Sequence, residues 1–205
     1  VNGADAMRLY DGTRWWPIDT HDILNLPISD QIGMFTPGDT VTGGTSGATG
    51  TVLYADNGVL YVQAPQNSTF TKGETVTGSK GGSAAMSVAS AIYWAAVTGI
   101  DTRNLSYVWA YMDRLFFCQK NSMSMWYLEI DSIGGAAEQF PLGGVFPSGG
   151  SLMFGSSWSL ENSGDGGLSE QCVIVTTEGE CAIYQGVDPD LSTSWSKVGL
   201  YRIDK

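Results

Sequence analysis

The sequence predicts an all-β fold: successive antiparallel meanders with a small β module inserted among them. Three observations carry this. Apolar and aromatic residues come in runs of five to eight, bounded by turn residues and without a helical period. Glycine is frequent, 27 of 205 residues, enough for many tight connections between short strands. A nine-residue pattern also occurs twice in the chain.

The elements follow in chain order. Met7 to Tyr10, Asp11-Gly12 and Arg14 to Ile18 read as a hairpin, because Asp-Gly tolerates the positive φ of a short turn. Asp19 to Ile32 holds Pro27 among polar residues and reads as a loop or short helical turn. Then comes the repeat. Phe35-Thr36-Pro37-Gly38-Asp39-Thr40-Val41-Thr42-Gly43 returns 35 residues later as Phe70-Thr71-Lys72-Gly73-Glu74-Thr75-Val76-Thr77-Gly78. Each copy has an aromatic residue, a glycine turn with an acid, and a Thr-Val-Thr strand ending at glycine. Between them, Gly50 to Ala55 and Val59 to Ala64 flank Asn57-Gly58, the strongest hairpin signal in the chain. Residues 34–90 therefore form a compact β-barrel or sandwich module with internal two-fold similarity.

After the module the strands become aromatic. Ala91 to Thr98 is one strand. Leu105 to Tyr111, Arg114 to Gln119 and Met123 to Ile130 form a first meander; Ser151 to Ser157, Gln171 to Thr176, Glu180 to Gln185 and Trp195 to Ile203 form a second. Two such meanders are the pattern of two β-propeller-like blades or of two packed sheets. If 1–33 belong with 91–205, the module at 34–90 is a loop insertion, which costs little closure entropy.

Composition excludes several functions. The net charge is −11, with 10 basic residues and no basic run, so tight binding to nucleic acid or anionic lipid is not expected. Residues 81–100 carry no charge but are rich in Gly, Ser and Thr, and read as buried strands, not a membrane span. The absence of an initial Met and the end at Lys205 suggest a piece cut from a longer protein. No basic stretch followed by an apolar run marks a signal peptide.

Catalytic patterns are weak, and no catalytic, cofactor-binding or metal residue is assigned. His21, the single histidine, lies between Asp19 and Asp22 and reads as an isolated surface residue. Gly43 to Gly50 and Gly78 to Gly81 resemble phosphate loops but lack the Gly-Lys-Ser/Thr ending. Glu178 with Glu180, and Asp188 with Asp190, are paired carboxylates on expected turns, Glu178 and Glu180 at an exposed hairpin tip. Glu161, Asp165 and Glu170 share a glycine-rich loop without the oxygen spacing of a calcium loop. All read as solvated charge. Asn67-Ser68-Thr69 and Asn104-Leu105-Ser106 are glycosylation sequons that matter only in a eukaryotic secretory setting. Cys118, Cys172 and Cys181 read as small buried hydrophobes, with Cys172 and Cys181 able to face each other across a hairpin. Trp109, Trp126, Trp158 and Trp195 read as core, with ligand stacking the alternative for each.

Several motifs in sequence order resemble one family. They are Asn2-Gly3, Tyr10-Asp11-Gly12-Thr13 and Trp15-Trp16; then Tyr107-Val108-Trp109, Asp113-Arg114-Leu115-Phe116-Phe117 and Trp126-Tyr127-Leu128; then Gly149-Gly150-Ser151-Leu152, Ser157-Trp158-Ser159 and Val175 to Glu180; and finally Tyr184 to Pro189, Trp195 and Val198 to Ile203. This arrangement is similar to the nozzle or hub proteins of podovirus-type bacteriophage tails. The resemblance covers 1–33 and 91–205. It implies a β-propeller core and a non-catalytic virion protein, assembled in the bacterial host cytoplasm. It implies also a homo-oligomeric ring, commonly a hexamer, that contacts portal or adaptor proteins and lets DNA pass without sequence-specific binding. No cofactor is implied, and members of that family are longer than this chain. An acidic wall fits a conduit along which DNA slides. The alternative expectation is a carbohydrate-binding, adhesin-like β module.

Overall fold

A computed structural model describes residues 1–161 and 168–203. The chain is all-β, with nineteen strands, one short 3-10 turn at Thr102–Asn104 and no α-helix among the described residues. It divides into two compact units, one of Arg8–Ala96 and one of Val1–Met7 with Val97–Lys205. The first is thus inserted in the second.

The Arg8–Ala96 unit contains β1 (Arg8–Tyr10), β2 (Trp15–Pro17), β3 (Asp22–Ile32), β4 (Thr40–Gly43), β5 (Thr49–Asp56), β6 (Val59–Ala64), β7 (Thr75–Gly78), β8 (Ser83–Met86) and β9 (Ala91–Trp94). β1 and β2 form the expected hairpin. The remaining strands run in the order β6-β5-β4-β7-β8-β3-β9, and a further β6–β3 pairing closes six of them into an antiparallel barrel. Closure leaves the six without free edges.

Residues 22–32, expected as a loop or helical turn, are the longest strand of this unit, and they close the barrel. Ile23, Leu24, Leu26 and Ile28 are buried along it. Pro27 ends the ladder with β6, and Ile28 begins the ladder with β8. At that handover a missing N–H costs little. The Pro27 carbonyl is used, accepting from Ser87 N and Oγ. Because β3 supplies the closing strand, the compact unit runs from Arg8 to Ala96, wider than the 34–90 read from the repeat.

The repeat is visible as symmetry. β4 and β7 pair antiparallel with Thr42 opposite Thr77, the same position in the two copies. Matching bonds follow on either side: Gly38 N donates to Val52 O and Gly73 N to Met86 O, both at 2.8 Å. The core is aliphatic and small, with Phe35 and Phe70 again at equivalent positions. Gly50 is needed where β5 meets β6, since a Cβ there would lie 2.4 Å from Val62 Cγ1 and 2.8 Å from the Gln63 carbonyl.

The second unit contains β10 (Val97–Thr98), β11 (Leu105–Tyr111), β12 (Arg114–Gln119), β13 (Ser124–Tyr127), β14 (Gly135–Ala136), β15 (Glu138–Pro141), β16 (Leu152–Glu161), β17 (Leu168–Thr176), β18 (Glu180–Gly186) and β19 (Trp195–Arg202). The stretch 91–98, expected as one strand, is two, β9 and β10, one in each unit. The meanders are two four-stranded sheets, β11-β12-β13-β15 and β16-β17-β18-β19. The sequence reading missed β15, a short strand of EQFP with no apolar alternation.

One core joins the two sheets. The first contributes Trp109, Tyr111, Phe116, Cys118, Met125 and Tyr127; the second contributes Leu152, Cys172, Ile174, Ala182, Tyr184 and Trp195. Four of these rings form a column. Trp109 stacks on Phe116 at 5.5 Å, Phe116 on Trp195 at 6.0 Å, and Trp195 on Tyr184 at 5.3 Å. Such pairs add to simple burial. Gly155 leaves the space for Trp109, whose ring would lie 2.5 Å from a Cβ there. Two packed meanders are what neighbouring propeller blades and a two-layer sandwich have in common.

Candidate functional site

The glycine-rich loops hold no motif for phosphate, yet one of them does cradle an anion. Glu74, 4% exposed, accepts from Thr45 N at 3.0 Å, Ser46 N at 2.9 Å and Ser46 Oγ at 2.9 Å, and also from Thr71 N. Asp39, its counterpart in the first copy, accepts from Thr36 N at 3.0 Å and lies 3.3 Å from Lys80 Nζ. Each acid therefore reaches the glycine loop of the other copy. Burial raises the Glu74 carboxyl, but the hydrogen bonds from Ser46, Thr71 and Thr45 outweigh it and leave the group below its ordinary value of 4.5. The Thr36 amide, with Lys80 helping, lowers Asp39 in the same direction.

The other candidate acids are also structural. Asp22 is buried and accepts from Ala96 N at 2.9 Å, while His21 Nδ1 is 2.7 Å from Thr20 Oγ1. No group of three or more His, Cys, Asp or Glu able to hold a metal ion is found among the described residues. Glu180 is not at an exposed tip: it is 6% exposed and accepts from Ser148 N at 2.9 Å. Its position opposite Arg202 on β19 places it inside a sheet, which its neighbour Glu178 at the turn concealed. Asp188 lies 3.7 Å from the buried Arg114, and Asp190 accepts from the Tyr127 hydroxyl, so this pair ties the loop after β18 to the first sheet. Burial, then Asp190, raises the Tyr127 hydroxyl far above its usual value. Of the proposed calcium loop, Asp165 and the Glu161 side chain lie outside the described residues.

All three cysteines are free and buried. Cys172 pairs with Tyr184 and Val175 with Cys181, so the two thiols point to opposite faces of their sheet and cannot bond. Burial pushes Cys118 and Cys172 up to about 12.

The four tryptophans separate clearly. Trp109 and Trp195 are core, and Trp126 is half-buried with Nε1 donating to Gln119 Oε1 at 2.8 Å. Trp158 is 48% exposed. It walls a groove of about 550 Å³ on the face of β16–β19 turned away from the first meander. The floor includes Cys181 and Ile183; Val198, Tyr201 and Ile203 complete the walls. Every described lining residue is uncharged, and among them Gln171, opposite Trp158 and 8% exposed, carries the side-chain amide. Its volume lies within the range of ligand-sized clefts.

A second exposed aromatic surface went unread in the sequence. Tyr10 and Trp15 face each other across the β1–β2 hairpin and stay 51% and 57% exposed. Two aromatics, Tyr10 and Trp15, bounding the four-residue connection that holds Asp11-Gly12 were the available signal.

The chain is thus an all-β protein with a closed six-stranded barrel, two packed four-stranded meanders, and exposed aromatic side chains on the β1–β2 hairpin and on β16–β19. No family model matches the chain, and no match to it is found among curated proteins or solved structures.

Proposed function

We propose that this chain is a non-catalytic structural part of a bacteriophage tail, of the nozzle or hub type. In this reading the two meanders are neighbouring β-propeller blades, and a further sheet stacks on the outer face of β16–β19. The observation that carries the reading is that face. On the side opposite the shared core, Val173, Val175, Cys181 and Ile183 form a small buried cluster with Phe154, and the exposed part of the face is the apolar rim around it. Trp158, Val198 and Tyr201 beside them are about half exposed. An apolar, uncharged sheet face is a surface made to be covered. A ring of identical subunits, contacts with portal or adaptor proteins and passage of DNA belong to the same proposal, as does a place in the virion tail. The acidic balance of the chain supports a wall along which DNA slides without being held.

Native mass measurement with electron microscopy tests it. Closed rings or higher assemblies that are lost in Val198→Asp, a variant at a half-exposed position of that face, support the reading. A monomer at all concentrations, unchanged by Val198→Asp, counts against it, and so does a basic inner wall in any ring that forms. The alternative, an adhesin-like carbohydrate-binding module, has its own observation in the exposed aromatics of the β1–β2 hairpin.

A further inference from the structure

We infer that the outer face of the β1–β2 hairpin is a binding platform for a neutral hexopyranose glycan. This goes beyond the tail reading and does not depend on it. The face is made by alternation. Arg8 and Tyr10 on β1 lie opposite Pro17 and Trp15 on β2, so these four side chains share one side. The Tyr10 and Trp15 rings lie 4.9 Å apart, tilted by 34°, and each keeps about half its surface in water.

A cross-strand aromatic pair also stabilises a hairpin by itself. Here that task is already performed from the other side. Trp16 is 1% exposed and packs on Tyr54, Tyr61 and Tyr93 at 5.0–5.2 Å. Asp11 holds the turn, accepting from Thr13 N and Arg14 N at 2.8 Å and from Trp16 Nε1 at 2.7 Å. Arg14 reaches Asp56 at 2.8 Å and lies over the Tyr54 ring. Tyr54 Oη in turn donates to the Trp15 carbonyl, and Tyr10 Oη to the Gly12 carbonyl. The hairpin that carries the outward pair is therefore held chiefly by contacts on its other face. Rigid, exposed, adjacent rings are preorganised to receive a flat apolar surface.

The C–H face of a pyranose is such a surface, and its hydroxyls need donors at the rim. Arg8 is exposed and makes no ion pair with any described residue, so its guanidinium is available to sugar oxygens. Charge selects a neutral ligand. In a chain of net charge −11, one free arginine does not compensate the repulsion of an anionic polymer, whether acidic glycan or nucleic acid.

The test uses the whole chain and three soluble neutral polysaccharides: dextran, mannan and galactan. Tryptophan fluorescence and affinity electrophoresis report binding. The expected result is saturable binding to at least one, weakened tenfold or more in Trp15→Ala, largely kept in Trp15→Phe, weakened several-fold in Arg8→Gln, and unchanged in Ile130→Ala, at an exposed position away from the hairpin. Circular dichroism checks that each variant is folded. No binding to any of the three overturns the inference. So does binding that Trp15→Ala leaves intact, or equal or tighter binding of a uronic-acid polymer or of oligo-dT.

Discussion

The barrel and the meanders solve the same problem, an all-β chain with exposed edges and faces, in opposite ways. The barrel closes on itself through β3–β6 and fills its interior with small aliphatic side chains and two phenylalanines. Its polar loops are fixed by two internal carboxylates. The meander unit stays open, relies on a column of large aromatic rings, and keeps Trp158, Val198 and Tyr201 about half exposed on the outer face of one sheet. A barrel has finished pairing; an open stack can continue. In the proposed reading, assembly would fall to the meander unit and glycan binding to the β1–β2 hairpin of the barrel unit.

That contrast can be broken at its strongest points. Phe116→Ala removes the ring, fully buried, that links Trp109 to Trp195, and should destabilise the meander unit by about 3–5 kcal/mol. Chemical unfolding followed by tryptophan fluorescence should then show the meander transition moving alone. Glu74→Ala attacks the barrel instead. It leaves the amides of Thr45, Ser46 and Thr71 without their acceptor and should cost about 2–4 kcal/mol, read in the same titration. Gly155→Ala drives Trp109 off the second sheet and should cost about 1–3 kcal/mol with the barrel unaffected.

Acid sharpens the comparison further. The Asp39 and Glu74 carboxyls are lowered in the folded barrel, so their contribution is fully present above the ordinary values of 3.8 and 4.5. It is lost as pH falls through the folded values. Melting at pH 7 and pH 3 should show a barrel transition that drops with acid, and Glu74→Gln should reduce that drop. The smallest effect expected is none: with Cys118 and Cys172 buried and raised to about 12, iodoacetamide should leave both unmodified in the native protein at pH 8, checked by peptide mass.

Much of the fold was legible because turn chemistry is local. Asn57 and Gly58 do take positive φ, and the hairpin they predict is β5–β6. The repeat and the second meander were readable for the same reason. β3 was hidden because a proline inside a strand is tolerated only where the ladder changes partner, and that is a property of the whole barrel. The acids of the repeat were seen but not understood: which loop each carboxylate reaches depends on strands 35 residues apart lying side by side. The aromatics gave composition without placement. Trp158 and Trp195 look alike in sequence, yet β-bulges at Leu152/Phe154 and Ile183/Tyr184 shift the register and with it the alternation.

The Thr42–Thr77 seam has a bearing on ancestry. A strand that meets its own later copy at the same residue is the geometry of a homodimer written into one polypeptide. A half-length peptide pairing with a second molecule of itself would build that seam unchanged, and tandem duplication of its gene would then join the two. The exchanged carboxylates, each seated in the loop of the opposite half, would have made the early partnership obligatory before the linker existed. The two seats are no longer alike: Asp39 lies against Lys80, while Glu74 accepts from the amides of Thr45 and Ser46.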